Sequence, residues 1–565
     1  MTAARDEWFI ALSLCVSPLC KSSTQVDKCK HMLYILALFP IYAQTMNTIT
    51  KTQRKVVLAA CFGTFLEWYD FLTFATLATY FSVLFFPPED ATAALLASLA
   101  AFGVGMIVRP LGSALFGTLA DRYGRRPIFL VTISLMGAST FLVGMLPTYA
   151  QVGMLAPALL LLLRLLQGFA VGGEIGGVAV YLTEHAPEGR RGIYTSVLQL
   201  MGPLGILVST FQIVLLHMFL DDASFSSWGW RVPFLFSVVL LFISIKTRMS
   251  LEESPVFKEL QEQGRVSQAP LRECFRDRQT LKGMALLFFC ISAGGSLLFF
   301  TSQVYANVFL KSVVRLDAQL ASTLVMLSTL LLFPLTIWCG WLSDRIGRRP
   351  VLLAGLLLGA ITIIPVFNGL QHFGNPALER FNSEVKVSLS GTDCDYSPFH
   401  KALSECARNQ EFFIKNGIVH STEAGESVVV RIGVDVQVNG FDPAALTAGL
   451  KSKGWTEQAD SEQASPVMLF MLLVILVVAV GLITGPQTAV LPELFKARNR
   501  YTAAALPHNL SAGWIGGLSP FMVTLLSVNA GDVMAGLWYP VGMLIMASVI
   551  GLLFLPETKD VVLGE

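Results

Sequence analysis

The stretches GTLADRYGRRP at 117–127 and GWLSDRIGRRP at 340–350 share one frame, Gly-x-x-x-Asp-Arg-x-Gly-Arg-Arg-Pro. Each joins two long apolar runs through a short, charged, glycine-punctuated loop. An in-frame duplication of this kind implies a chain built twice from one pattern. The 565 residues around it are 54% hydrophobic and only 14% charged, against about 25% charged in soluble domains. Most of this surface must therefore face lipid. A formal net charge of +1, with no basic stripe, argues against a nucleic-acid partner. The nine cysteines show no CxxC or Cys/His spacing, so no metal and no cofactor is expected.

A spanning helix needs about 20 mainly apolar residues. Twelve such segments follow from the sequence, at 55–85, 92–118, 128–146, 156–182, 193–217, 230–246, 283–309, 319–342, 351–370, 467–491, 503–527 and 533–555; these are spans 1 to 12. Barrel strands would be about ten residues long and strictly alternating. Arg122, Arg125, Arg126, Arg190, Arg191, Arg345, Arg348, Arg349, Lys496, Arg498 and Arg500 crowd the loops on one side. On the other side loops 1–2, 3–4 and 11–12 hold no Lys or Arg, and loop 7–8 holds Lys311 and Arg315. The basic side should be cytoplasmic and hold both termini.

Asp121 and Asp344 are 223 residues apart, whereas Glu184 of YLTEHAPEGRRG and Glu493 of LPELFKARNRY are 309 apart. The second copy has thus gained about 86 residues, and the polar, span-free stretch 371–465 accounts for them. The expected organisation is an N-terminal extension (1–53), a six-helix bundle (54–247), a cytoplasmic central loop (248–282) and spans 7–9 (283–370). The insertion (371–465), spans 10–12 (466–556) and a tail (557–565) complete it. Met46, which opens MNTITKTQRK, is the expected native start. The insertion follows an outward-running span, which places it outside the cytoplasm as a small α+β unit. Within it EVKVSL (384–389) and ESVVVRIGVDVQV (426–438) alternate like half-buried strands, and AALTAGLKSK (444–453) reads as a helix. Cys394 and Cys406, its two cysteines, are expected to pair in an oxidising compartment.

Glu67, Asp70, Arg109, Arg164 and Glu174 lie within otherwise apolar spans. Each costs about 2.5–3.5 kcal/mol at a helix centre, so together they should pair or line a wet cavity. Glu67 and Asp70, three apart, share a face of span 1. Gln167 and Glu174 are seven apart on span 4, with Arg164 one turn earlier. Arg164 and Glu174 sit about 15 Å apart along the axis, so Arg164 needs Asp70, Glu67 or a bound carboxylate instead. Glu67, Asp70 and Arg164 are the proton-coupling candidates. Tyr69, Arg109, Arg164, Gln167, Glu174, Gln303, Tyr305 and Asn509 are the solute-binding candidates. Gly168, Gly172 and Gly176, four apart, read as a helix-packing face.

The duplicated loops carry a different task. Gly117, Asp121, Arg122, Gly124, Arg125, Glu184 and Arg190 in the first copy match Gly340, Asp344, Arg345, Gly347, Arg348, Glu493 and Arg498 in the second. The aspartates can accept from a neighbouring helix N-terminus or an Arg, and the glycines allow close approach. Together they would latch the two bundles on one face.

This loop pair resembles that of the major facilitator superfamily. GTFLEWYDF (63–71), RPLGSALFGTLADRYGRR (109–126), RLLQGFAVGGEIGG (164–177), EHAPEGRRG (184–192), WGWRVPF (228–234) and EESPVF (252–257) are similar to its metabolite:proton symporter branch, over about 54–370 and 465–560. That branch includes proline/betaine, alpha-ketoglutarate, citrate and shikimate carriers. The resemblance implies an all-α membrane fold of two six-helix bundles in the inner or plasma membrane. It also implies proton-coupled symport of a small carboxylate-bearing metabolite or zwitterionic osmolyte by a monomeric, alternating-access carrier. The insertion departs from the pattern. No Walker loop, HExxH or nucleophile elbow appears, so neither ATP-driven transport nor an enzyme is expected. Two other readings stay open: an efflux carrier, which would want a wide aromatic pocket, and a sensor that presents residues 371–465.

Overall fold

The computed structural model describes residues 51–86, 91–394, 402, 404–460, 463–530 and 532–563; the expected start at Met46 lies outside them. Twelve helices among these residues are long and apolar enough to cross a membrane. Spans 1–6 are Val56–Phe74, Gly103–Tyr123, Arg125–Met145, Leu155–His185, Arg191–Phe219 and Phe225–Met249. Spans 7–12 are Arg278–Ser312, Ala318–Ile346, Arg348–Gly374, Pro466–Glu493, Ala497–Ser527 and Ala535–Phe554. Their buried side chains form one large core mainly in the second six and two smaller cores mainly in the first six, with Val180, Ile337, Tyr501 and Ala505 packing across. The chain is thus two six-helix bundles, as the duplicated loop implied.

Several spans are irregular, and those of spans 4, 7 and 11 lie near polar residues. Span 4 is interrupted between Gly172 and Ile175. Span 7 carries π-helical turns at Leu287–Ser292 and Phe300–Tyr305, and span 11 carries one at Ser511–Gly516. Such turns rotate the side chains that follow and gather at functional sites. The central loop, expected only as a polar linker, holds two short helices, Pro255–Glu262 and Pro270–Arg276.

The insertion is a small α/β unit. Its elements are α1 (Pro376–Glu384), β1 (Val387–Gly391), α2 (Glu405–Lys415), β2 (His420–Ala424), β3 (Val429–Ile432), β4 (Val436–Asn439) and α3 (Pro443–Ser452). The sheet order is β2-β1-β3-β4, with β1 parallel to β2 and antiparallel to β3. The run 426–438 is therefore not one strand but a hairpin, turned at Gly433 with φ 65°. Val387, Leu389, Val430, Ile432 and Val438 point to one face and pack on Phe413, Leu446, Leu450 and Trp455. Asn375, Ser404 and Asp442 cap the three helices by accepting from Leu378, Ala407 and Ala444 N–H.

This unit is tied to the loop between spans 7 and 8. Asn375 Nδ2 donates to Val314 O at 2.9 Å, Ala459 N–H to Arg315 O at 3.0 Å and Ser465 N–H to Phe373 O at 2.9 Å. The Arg315 guanidinium bonds Asn416 and faces the Trp455 ring. Cys394 and Cys406 are joined in a disulfide, with Cα atoms 4.8 Å apart. Closing this loop contributes about 3 kcal/mol on the chain-entropy model. Cys61, Cys274, Cys290 and Cys339 are buried free thiols. Impermeant maleimide applied outside should consequently label Cys394 and Cys406 only after reduction. Labelling without reductant refutes the bridge, and labelling only from the inside refutes the topology.

Candidate functional site

The duplicated loops meet the opposite bundle in two matched latches. Asp121, on span 2, accepts from Tyr501 and Thr502 N–H of span 11 at 3.2 and 2.8 Å. Asp344, on span 8, accepts from Gly192 and Ile193 N–H of span 5 at 2.8 and 2.9 Å. Each aspartate thus sits at the N-terminus of a helix from the other bundle, where unpaired N–H groups and the helix dipole favour an anion. Glu184 is paired with Arg125 of its own bundle at 3.4 Å and with Arg500 of the other at 3.0 Å. Glu493 is likewise paired with Arg348 at 3.4 Å and with Arg191 at 3.7 Å.

The glycines have distinct jobs. Gly124 and Gly347 adopt φ 110° and 107°, a region costly for residues with a Cβ. A Cβ at Gly117 would lie 3.0 Å from Thr502 Cα, and one at Gly340 would lie 2.7 Å from Gly192 O. A second layer was not anticipated. Glu253 accepts from Arg125 and Arg126 N–H, and Glu557 does the same for Arg348 and Arg349. Ser254 and Thr558 then donate to Glu184 and Glu493. The signal was a third repeat, Glu-Ser after span 6 and Glu-Thr after span 12.

The expected latch arginines Arg190 and Arg498 lie at the surface. Arg190 is exposed, and Arg498 pairs with Glu273 at the surface. The residues that reach across are Arg191 and Arg500. Arg122 and Arg345 lie over the rings of Tyr123 and Trp341. These latches close the molecule on the face that carries the duplicated loops.

Deeper in the first bundle, Arg164 Nη1 donates to Asp70 Oδ2 at 3.2 Å, and Gln167 Nε2 to Asp70 Oδ1 at 3.1 Å and to Thr140 Oγ1 at 2.9 Å. The Arg164 guanidinium also covers the Phe74 ring, 3.6 Å from its centroid. Arg109 Nη2 lies 3.3 Å from Glu67 Oε1, yet neither Glu67 oxygen accepts a well-aligned hydrogen bond. These two ion pairs line a pocket of about 20 Å³ with Gly105 and Gly168, space for about one water molecule. Glycines make this closeness possible. A Cβ at Gly168 or Gly172 would overlap the backbone of Gly105 or Arg109 on span 2.

Other expected solute ligands are engaged elsewhere. Because span 4 is interrupted at Gly173, Glu174 turns from Gln167 towards Arg248, Thr132 and the Phe129 ring side of the bundle. Tyr69 donates to Pro233 O at 2.8 Å and to Gln212, inside the first bundle. Gln303 bonds Ser302 and Thr329, while Tyr305 packs on Phe309 and Phe367. Asn509 Nδ2 donates to Gly172 O at 3.0 Å, which makes it an interbundle contact.

Between the bundles lies a second cavity of about 80 Å³. Trp68, Arg109 and Gln199 line it from the first bundle, and Ser296, Phe299, Thr484, Gln487 and His508 from the second. Arg109 and Gln199, both polar candidates from the sequence, lie on this surface, and Arg109 also lines the smaller pocket. Trp68, Gln487 and His508 were not singled out from sequence. Among the described residues, no group of three His, Cys, Asp or Glu could hold a metal ion.

Comparison with known proteins agrees with this geometry. A family model described as "Sugar (and other) transporter" matches residues 56–271. The chain is 36% identical over 351 residues to the inner membrane metabolite transport protein YhjE of Escherichia coli (strain K12), covering 61% of this chain and 79% of that one. It is 37% identical over 335 residues to the citrate-proton symporter of Klebsiella pneumoniae, covering 58% and 72%. It is 33% identical over 340 residues to the alpha-ketoglutarate permease of Escherichia coli (strain K12), covering 60% and 77%. Among solved structures, the proton:xylose symporter XylE bound to 6-bromo-6-deoxy-D-glucose superposes with a TM-score of 0.59 at 16% identity, covering 91% and 98%; this likeness is one of fold. The chain belongs to the metabolite:proton symporter branch of the major facilitator superfamily, secondary active transporters that lie as multi-pass proteins in the inner or plasma membrane and are not enzymes.

Proposed function

We propose that this carrier moves a small carboxylate-bearing metabolite inward together with protons, and that Arg109 joins the two cargoes. The observation that carries this reading is the position of Arg109, on the wall of both the interbundle cavity and the carboxylate pocket. Glu67 with Arg109 and Asp70 with Arg164 are two neutral pairs. A solute carboxylate that binds Arg109 adds one negative charge to a site shielded from water. An unbalanced charge there is costly, and a proton on Glu67 removes it. The solute therefore raises the proton affinity of Glu67 by taking away its partner. Such coupling needs no direct contact between solute and proton site.

The conformation fits the outward-facing half of an alternating-access cycle, because the latches close the loop face. The excess of loop-face arginines supports a cytoplasmic position for that face and for both termini. Rocking of the bundles about the central cavity then requires both latches to break after loading. The carrier acts as a monomer in this scheme. The narrow interbundle cavity, with Arg109 on its wall and that arginine's carboxylate partner in the smaller pocket, does not favour efflux of bulky amphipaths. Relatives bear the names of citrate, alpha-ketoglutarate, shikimate and proline/betaine carriers, and these solutes define the assay.

Purified protein in liposomes, under an imposed pH gradient, should take up at least one of these carboxylates. Arg109→Lys keeps the charge but loses the bidentate fork, and is expected to lower uptake about 10- to 100-fold, in line with losing a charged hydrogen bond. A neutral or purely cationic solute as the preferred cargo would overturn the proposal.

A further inference from the structure

We propose that His508 is a specificity-determining residue, the second bundle's anchor for the solute, and that it selects cargo bearing a second oxygen acceptor. The inference rests on the carboxylate reading above and adds the opposite wall of the cavity. His508 is buried in span 11, three residues before the π-helical turn at Ser511–Gly516, and it lines the interbundle cavity. Its Nδ1 lies 2.9 Å from Ser292 Oγ of span 7. Among the described residues no protein group bonds Nε2, and that atom is not sealed from the cavity. When the Ser292 hydroxyl donates to Nδ1, the ring proton resides on Nε2 and points its donor at cargo.

The two walls then offer complementary donors. Arg109 comes from span 2 and the His508 Nε2–H from span 11, with the Gln487 amide beside it on span 10. A solute with oxygen acceptors at both ends can engage both walls, whereas an unsubstituted monocarboxylate such as butyrate offers one polar end and one apolar end. A site built to donate to an oxygen also rejects analogues that lack it, because its buried donors would go unpaired. A betaine-type zwitterion with its carboxylate on Arg109 would present a methylated cation, which accepts no hydrogen bond, to the His508 donor. Trp68 and Phe299 pack edge-on against each other, with ring centroids 5.7 Å apart, and do not form a cage around a cation.

Competition for uptake in proteoliposomes tests the assignment. Succinate and butyrate have equal chain length and differ in the second carboxylate. Succinate is expected to compete at least tenfold better than butyrate in the wild-type protein. His508→Leu should bring that ratio near one through loss of succinate competition. His508→Gln, which restores a donor, should recover most of the preference, and Ser292→Ala should weaken it if the leucine variant does not fold. Equal ratios in the leucine and glutamine variants, or betaine competing better than both acids, overturn the assignment. If both acids compete equally in the wild type, His508 fails while the carboxylate reading stands. If neither acid competes and Arg109→Lys transports normally, the carboxylate reading has failed with it.

Discussion

Glu67→Gln protein is expected to exchange labelled solute across liposome membranes but not to concentrate it. With one proton per solute, a pH difference of one unit supports about tenfold accumulation, since each factor of ten corresponds to about 1.4 kcal/mol. The variant should settle at a ratio near one, with counterflow reduced no more than a few-fold. The choice of Glu67 over Asp70 comes from their surroundings. Both Asp70 oxygens accept hydrogen bonds, from Arg164 and Gln167. Glu67 has one ion-pair contact and no aligned donor, so protonating it costs fewer interactions. Asp70→Asn should instead strand the buried Arg164 charge, at about 3–5 kcal/mol, and appear as poor yield and lower Tm. Accumulation by Glu67→Gln, alongside loss of accumulation by a stable Asp70→Asn, would reverse the two roles.

What the sequence displayed and what it hid follow from which forces are local. Twelve spans and the duplication were legible because hydropathy and the Asp-Arg frame are carried by consecutive residues. That Arg164 needs an anion, from Asp70, Glu67 or a bound carboxylate, was legible because a charge inside an apolar span has few partners, and the structure pairs it with Asp70. Glu174 was misplaced because a seven-residue spacing assumes an unbroken helix, and the interruption at Gly173 rotates it onto Arg248. Trp68 and Tyr69 are neighbours about 100° apart, and packing selects between them. Gly205 lies against Trp68 Cβ, while Tyr69 turns to Pro233. His508 and Gln487 are lone polar residues in apolar spans, easily passed over beside five charges. In the insertion, β2 (HSTEA) is an exposed edge strand with no apolar alternation, so nothing local announced it.

A second large effect is expected at Gly340, where the penalty should depend on conformation. A Cβ there would lie 2.7 Å from Gly192 O and 2.9 Å from Ser196 Cβ, both on the opposite bundle. Gly340→Val must push spans 5 and 8 apart and break the bonds from Gly192 and Ile193 to Asp344. Once the loop face opens the clash vanishes, so the substitution penalises one state and leaves the other unstrained. Transport should fall to background with Tm lowered by only a few degrees. Cys274 reports the shift. It lies on the helix Pro270–Arg276, against spans 2 and 11, where it is fully buried, and burial pushes its thiol up to about 12. Opening the loop face should expose it and raise its maleimide labelling rate at least tenfold. Gly168→Val supplies the contrast. Its Cβ would overlap Gly105 within a single bundle, a contact that rocking does not relieve, so it should lower yield and Tm sharply. If Gly340→Val transports normally, or is as unstable as Gly168→Val, these glycines serve packing alone and the latch has no conformational role.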